Sequence, residues 1–113
     1  MSTLQQALGG FKILDGYKLR TPASSAELEK FLRSKKWIIG RTEIAEFMSV
    51  STVSTVFLKL EHHGGMWFET MIFGGKHDEF CTRYKTRSEA EAGHTMIVAA
   101  LQAGRDPETT VQS

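Results

Sequence analysis

A chain of 113 residues, 41% apolar and 24% charged, has the length and make-up of one globular domain able to bury a core without disulfides or metal. Fourteen Lys and Arg against thirteen Asp and Glu leave a net charge of +1, which removes the bulk electrostatic argument for duplex nucleic acid or an anionic membrane surface. The single cysteine, Cys81, forms no intrachain bridge, no charged-then-apolar leader opens the chain, and no apolar run is long enough to span a bilayer, so a reducing cytoplasm is expected.

The patterning predicts an α+β fold: an antiparallel sheet of four to six strands, a C-terminal helix packed on one face, and a shorter N-terminal helix. Residues 1–10 read as a loose arm, 11–104 as a single domain and 105–113 as a flexible tail. Asp15-Gly16 between two apolar-rich runs is a hairpin signal. A two-residue loop there would set Leu14 opposite Tyr17 and mix the faces, which predicts a longer loop or a half-exposed edge. Ser24 with Glu27 three residues on forms a capping box for a helix through about residue 34, with Leu28, Phe31 and Leu32 on its inner stripe. Arg33, Lys35 and Lys36 at its end suit the negative pole of the helix dipole and make a local basic corner.

Residues 37–47 alternate as a strand in which Gly40 marks a bulge or a close backbone approach. Residues 50–60 form the next strand, and large apolar groups on both of its faces (Phe57, Leu58, Leu60) predict a central strand covered on both sides. Residues 66–73 are apolar on both faces except Glu69, whose carboxylate calls for a partner; Arg41 and Arg83 are the candidates. Gly74-Gly75 turns the chain into a short strand over 80–84. Ser88 with Glu91 is a second capping box, opening a helix to about residue 103 with Ala90, Gly93, Ile97 and Leu101 on one face.

His62-His63, His77, Cys81 and His94 lack the paired spacings of a zinc ribbon, a finger or a His-Glu-x-x-His helix, so no metal is expected. No nucleophile sits beside a base, and neither a Walker loop nor a dinucleotide glycine pattern is present, so neither catalysis nor a cofactor is expected. What remains is a run of cations and aromatics: Lys76, His77, Phe80, Arg83, Tyr84, Lys85 and Arg87, with Trp67 and Phe68 on the preceding strand. Arginine forks suit phosphate and rings suit a base, and the N-terminus of the following helix favours anions. The same run also reads as a sheet edge with a solvated face.

The string Val-Ser-Thr-Val-Phe-Leu-Lys-Leu-Glu-His (53–62), then Phe-Glu-Thr-Met-Ile-Phe-Gly-Gly (68–75), Arg83-Tyr84-Lys85-Thr86 and Glu89-Ala90-Glu91-Ala92-Gly93-His94, resembles a family of small tailed-bacteriophage proteins over about residues 41–98. That family is in turn similar to the Thoeris anti-defence sponges, which capture cyclic ADP-ribose signals without cleaving them. The sequence departs from the family pattern in the shorter loop after His62 and in Lys59, where a glycine is more familiar. The resemblance implies a non-enzymatic accessory protein of the host cytoplasm that counters antiviral defence by sequestering a small cyclic nucleotide at an interface within a homo-oligomer. Arg83, Tyr84, Arg41, Trp67 and His62 are the expected ligand contacts, with neither membrane nor nucleic acid as partner. The alternative is a direct protein inhibitor of a host defence or CRISPR complex, docking through a sheet edge or the Arg33–Lys36 corner.

Overall fold

The structure, a computed structural model, describes residues 10–112. It is α+β, and two sheets organise it. The first is the hairpin β1 (Ile13–Asp15) and β2 (Lys18–Arg20), turned by Gly16 at φ +62°. Asp15 pairs with Lys18 and Leu14 with Leu19, so the turn residues are Gly16 and Tyr17. That shift by one residue resolves the conflict of faces, because Ile13 and Leu14 stay buried while Lys18–Arg20 lie exposed. The expected loose arm falls almost wholly outside the described residues.

The second sheet is four-stranded and antiparallel, in the order β3 (Ile38–Glu46), β4 (Ser49–His62), β5 (Met66–Phe73), β6 (Cys81–Tyr84). Sequential strands are neighbours throughout, as short connections dictate. The register slips between Ile38 and Gly40, where glycine 40 was expected to mark a bulge. The His94 ring is also close there: a Cβ on Gly40 would stand 3.1 Å from it.

Helix α1 (Ser25–Ser34) starts as its capping box predicts, with the Ser24 hydroxyl accepting from the Glu27 amide. It ends on Lys35 in the left-handed region, φ +61°. Helix α2 (Arg87–Gln102) opens two residues before the expected cap: Thr86 accepts from the Glu89 amide, and Glu91 is free to bind Tyr17 and Arg87 instead. A final helix, α3 (Pro107–Gln112), packs on α2 and buries Pro107 where a flexible tail was expected. Proline at a first helical turn, where its missing amide costs nothing, explains the restart.

Helix α2 lies across β3 to β6 on one face of the sheet. It buries Ala90, Gly93, Ile97, Ala100 and Leu101, of which Ile97 and Leu101 meet Ile44, Val53, Ile72 and Phe80 below. A second cluster, Ile13, Leu14, Phe31, Phe57, Phe68 and Ala90, joins the hairpin and α1 to the far end of the sheet. Each large apolar side chain fully buried in this way contributes about 1.5–3 kcal/mol. β4 is central in strand order but is not covered on both sides. Ser51, Val53, Thr55 and Phe57 are buried, whereas Val50 is exposed and Thr52, Ser54, Val56 and Leu58 are half-buried. The apolar content on the outer face of β4 therefore lines an open sheet face.

Candidate functional site

Beneath α2 the sheet carries a polar seam. Ser51, Thr55 and Thr70 are fully buried, although they alternate with Val53, Phe57, Phe68 and Ile72 on the core side. Each hydroxyl is served. Thr55 and Thr70 share a hydrogen bond of 2.5 Å across paired positions of β4 and β5. Thr55 also meets Nδ1 of His94 at 2.7 Å, and Nε2 of His94 meets the Thr42 hydroxyl at 2.9 Å. Both ring nitrogens are thus engaged by hydroxyls, which can donate or accept. Burial pulls the His94 pKa below its ordinary value, so the imidazole stands neutral between helix and sheet. Ser51 donates to Glu46 at 2.5 Å, and that bond holds the Glu46 carboxyl below its usual range.

Tyr84 lies on this same covered side. Its hydroxyl is buried without a hydrogen-bond partner among the described residues; burial pushes the phenol up, with Thr70 acting in the opposite direction. Gly93 of α2 rests directly on the Tyr84 ring, and no other residue would fit there. Tyr84 therefore spaces the helix from the sheet, and its ring does not face the surface that carries Arg83.

The opposite, open face carries Arg41, Glu43 and Ala45 from β3, Val50, Thr52, Ser54 and Val56 from β4, Glu69, Met71 and Phe73 from β5, and Cys81 and Arg83 from β6, as the pairing register dictates. Glu69 finds its expected partner in Arg83: Nε donates to Glu69 Oε2 at 2.9 Å, across directly paired positions. Among the described residues only Nε is used, which leaves the outer nitrogens of the guanidinium open. Arg41 is exposed and makes no side-chain hydrogen bond or ion pair among the described residues. Cys81 sits beside this pair. Partial burial raises its thiol pKa, and the Glu69 charge adds to the effect, which keeps it protonated and unreactive at neutral pH.

Beside α1 a groove of about 350 Å³ opens between Leu32 and Trp37 on one side and the β4 segment Val56, Phe57, Leu58 and Lys59 on the other. Trp37 donates its indole N–H to the Leu32 carbonyl at 2.8 Å, which holds the ring as a wall. At the other end the two-residue connection Phe47–Met48 projects both side chains into solvent, 93% and 89% exposed.

The expected ligand contacts are therefore only partly assembled. Arg41 and Arg83 share the open face, separated by the width of the sheet. Trp67 is half-buried, stacked on Phe57 at a centroid distance of 6.2 Å and an interplanar angle of 17°, so its ring belongs to the core. His62 is exposed at the end of β4, opposite Met66. Arg87 joins the hairpin instead of the Arg83 group: it contacts Glu91 at 3.2 Å, the Gly16 carbonyl at 3.0 Å and the Tyr17 ring at 5.0 Å. Phe68 and Phe80 are buried. The cation–aromatic run thus splits among three surroundings.

Sequence reasoning missed the His94–Thr55–Thr70 seam and the groove. The seam had a signal: His94 falls on the helical stripe of Ala90, Ile97 and Leu101, and Thr55 on the buried parity of β4. No group of three or more His, Cys, Asp or Glu able to hold a metal occurs among the described residues, nor any helix long and apolar enough to cross a membrane. Comparison with family models, curated proteins and solved structures returned no match.

Proposed function

We propose that this chain is a non-catalytic phage accessory protein that counters host antiviral defence by sequestering a small nucleotide-like anion, and that the open face of the four-stranded sheet is its binding surface. What supports the reading is the pair of guanidiniums with unspent donors on that face: Arg41, without a hydrogen bond or ion pair among the described residues, and Arg83, held there through Nε alone by Glu69. A guanidinium pre-oriented by a carboxylate presents its remaining N–H groups as a fork for phosphate at reduced entropic cost. The apolar floor between the two, Val56 and Met71, supplies a surface of low polarity on which charge-assisted bonds gain strength. The nature of the ligand rests on the phage-family resemblance.

The protein is expressed beside an activated host defence enzyme, purified and heat-denatured, and the released small molecules are read by mass spectrometry. An intact cyclic nucleotide is the expected result. Arg83→Ala should then weaken binding at least ~tenfold; because it also strands Glu69, whose side chain is only 14% exposed, Arg83→Ala is compared with Arg83→Ala plus Glu69→Gln, in which the melting temperature should fall only slightly. An empty supernatant, with no stabilisation by added cyclic nucleotides, refutes the reading in favour of a direct inhibitor of a host defence or CRISPR complex. Loss of stability on the scale of a core substitution in that double variant would make Arg83 a structural residue.

A further inference from the structure

We infer that the open sheet face selects phosphate esterified on both sides, with a single charge, over a phosphomonoester, and that Glu69 is the residue that sets this selectivity. The inference rests on the binding face proposed above and names the class of anion that the face takes.

The first observation is the balance of charge. The register places four charged side chains on the open face: Arg41 and Glu43 on β3, Glu69 on β5 and Arg83 on β6. Two guanidiniums and two carboxylates cancel. The Cys81 thiol beside Glu69 stays protonated and adds no charge, and the other positions that the register puts on this face are apolar or carry a hydroxyl. The face therefore offers strong hydrogen-bond donors without a net positive charge.

The second observation is where the carboxylates stand. Glu69 lies directly opposite Arg83 in the β5–β6 pairing and accepts from its Nε at 2.9 Å. Its side chain is 14% exposed against 43% for Arg83, so the carboxylate forms the inner half of the pair and the guanidinium the outer half. An anion held by the two outer nitrogens of Arg83 comes within about 5–7 Å of that carboxylate, one hydrogen-bond length beyond the guanidinium. Arg41 has a carboxylate neighbour too. Glu43 follows it on the same side of β3, about 7 Å along the strand.

The third step is the chemistry of the ligand. A phosphodiester carries one negative charge at neutral pH, whereas a monoester, with a second ionisation near pH 6, carries about −1.5 to −2. The first charge is answered by a guanidinium fork through charge-assisted bonds. The second finds no further cation and meets the Glu69 carboxylate at short range. Half-buried Val56 and Met71 lie between the two arginines, and over such an apolar floor the repulsion is weakly screened. A chain of phosphodiesters, such as single-stranded nucleic acid, fares no better, because each phosphate beyond those at Arg41 and Arg83 adds a charge that a balanced face does not answer. The class that fits is a small ligand whose phosphates are all esterified twice. Phe73, 51% exposed on the same face, supplies a ring on which its base can stack.

The test is isothermal titration calorimetry of the full chain near pH 7.5, where the monoester is mostly a dianion. The probes are adenosine 5′-monophosphate, its methyl ester, 3′,5′-cyclic adenosine monophosphate, and an oligothymidylate about ten residues long. The methyl ester differs from the monophosphate by one methyl group and one charge and is not a ring, so it separates charge from cyclisation. Methyl ester and cyclic monophosphate should bind within about threefold of each other and at least ~tenfold more tightly than the monophosphate. Glu69→Gln keeps the shape of the side chain and removes its charge. It should narrow that gap to about threefold, chiefly by strengthening the monophosphate, whereas a merely structural Glu69 would shift all the probes alike. The wild-type series decides the selectivity whether or not the variant folds. A monophosphate bound as tightly as its methyl ester overturns the inference and leaves the binding face standing. So does a gap that survives in folded Glu69→Gln, or an oligothymidylate bound at least ~tenfold more tightly than the methyl ester. If no probe binds up to about 10 mM, the binding face itself falls and the inference with it.

Discussion

Replacing Gly93 by alanine tests whether α2 is spaced from the sheet as the structure requires. Gly93 is buried in the middle of α2, and a Cβ built on it falls 2.5 Å from Cζ of Tyr84, with the phenol hydroxyl in its path. Ordinary contact begins near 3.4 Å, so the helix must lift by about an ångström or the Tyr84 ring must leave its place. Lifting α2 loosens Ala90 and Ile97 on β4 and β5; expelling the ring breaks the Phe57–Phe68 end of the core. Overpacking of this kind costs about 1–3 kcal/mol. Against it stands the intrinsic preference of a helix interior for alanine over glycine, about 1 kcal/mol. The clash should win, leaving Gly93→Ala less stable by about 1–2 kcal/mol, a fall in melting temperature of roughly 5–15 °C for a domain of this size. Thermal and urea unfolding followed by circular dichroism measure it. Shortening the partner should relieve the clash, so Gly93→Ala with Tyr84→Leu should lose less than the sum of the two single losses, a non-additivity expected only of touching residues. A Gly93→Ala protein as stable as the wild type, or more so, would refute the close packing, because propensity alone predicts a gain.

Other consequences follow from the same geometry. Burial lowers the His94 pKa, so the unfolded chain binds that proton more readily than the folded one. Its contribution is complete above the ordinary histidine value of about 6.5 and is lost as pH falls from there through the folded value. Melting curves between pH 7.5 and 5 should therefore decline more steeply for the wild type than for His94→Gln; parallel declines would exclude His94 as a source. Gly74→Ala combines a left-handed backbone, φ +82°, with a Cβ 2.6 Å from the Val50 carbonyl oxygen, whereas Gly16→Ala meets only the backbone penalty at φ +62° in open space. The first should cost at least ~2 kcal/mol and the second about 1 kcal/mol in urea unfolding, and equal losses would contradict the tight β5–β6 turn.

The elements themselves were readable in the residues because local chemistry decides them. Ser24 and Glu27 place the start of α1, the stripe Ala90–Gly93–Ile97–Leu101 gives α2 its buried side, and the lone Glu69 in an apolar strand demands the arginine that it finds in Arg83. Errors of position arose where two local signals compete. Thr86 with Glu89 and Ser88 with Glu91 are equally good boxes, and the helix takes the earlier because Glu91 is engaged by Tyr17 of the hairpin, 74 positions away, and by Arg87 of its own helix, 4 positions away. Asp15-Gly16 lost the turn to Gly16-Tyr17 because the core must take both Ile13 and Leu14.

By itself, the sequence determined the fold class, the main strands and the two longer helices with the stripe each buries, since these depend on periods of two and 3.6 and on caps only a few residues long. Only the tertiary structure decided which functional groups meet. Sheet register joins Thr55 to Thr70 and, through α2, to His94, partners 15 and 39 residues apart. The alternation of the pleat parts adjacent Arg83 and Tyr84 to opposite faces, and the packing of α2 decides which is open and which is covered. Helix α2, with α1 and the hairpin at its far end, covers one face of the four-stranded sheet, and that left the other face, with Arg41, Glu43, Arg83 and the Phe47–Met48 tip, at the surface.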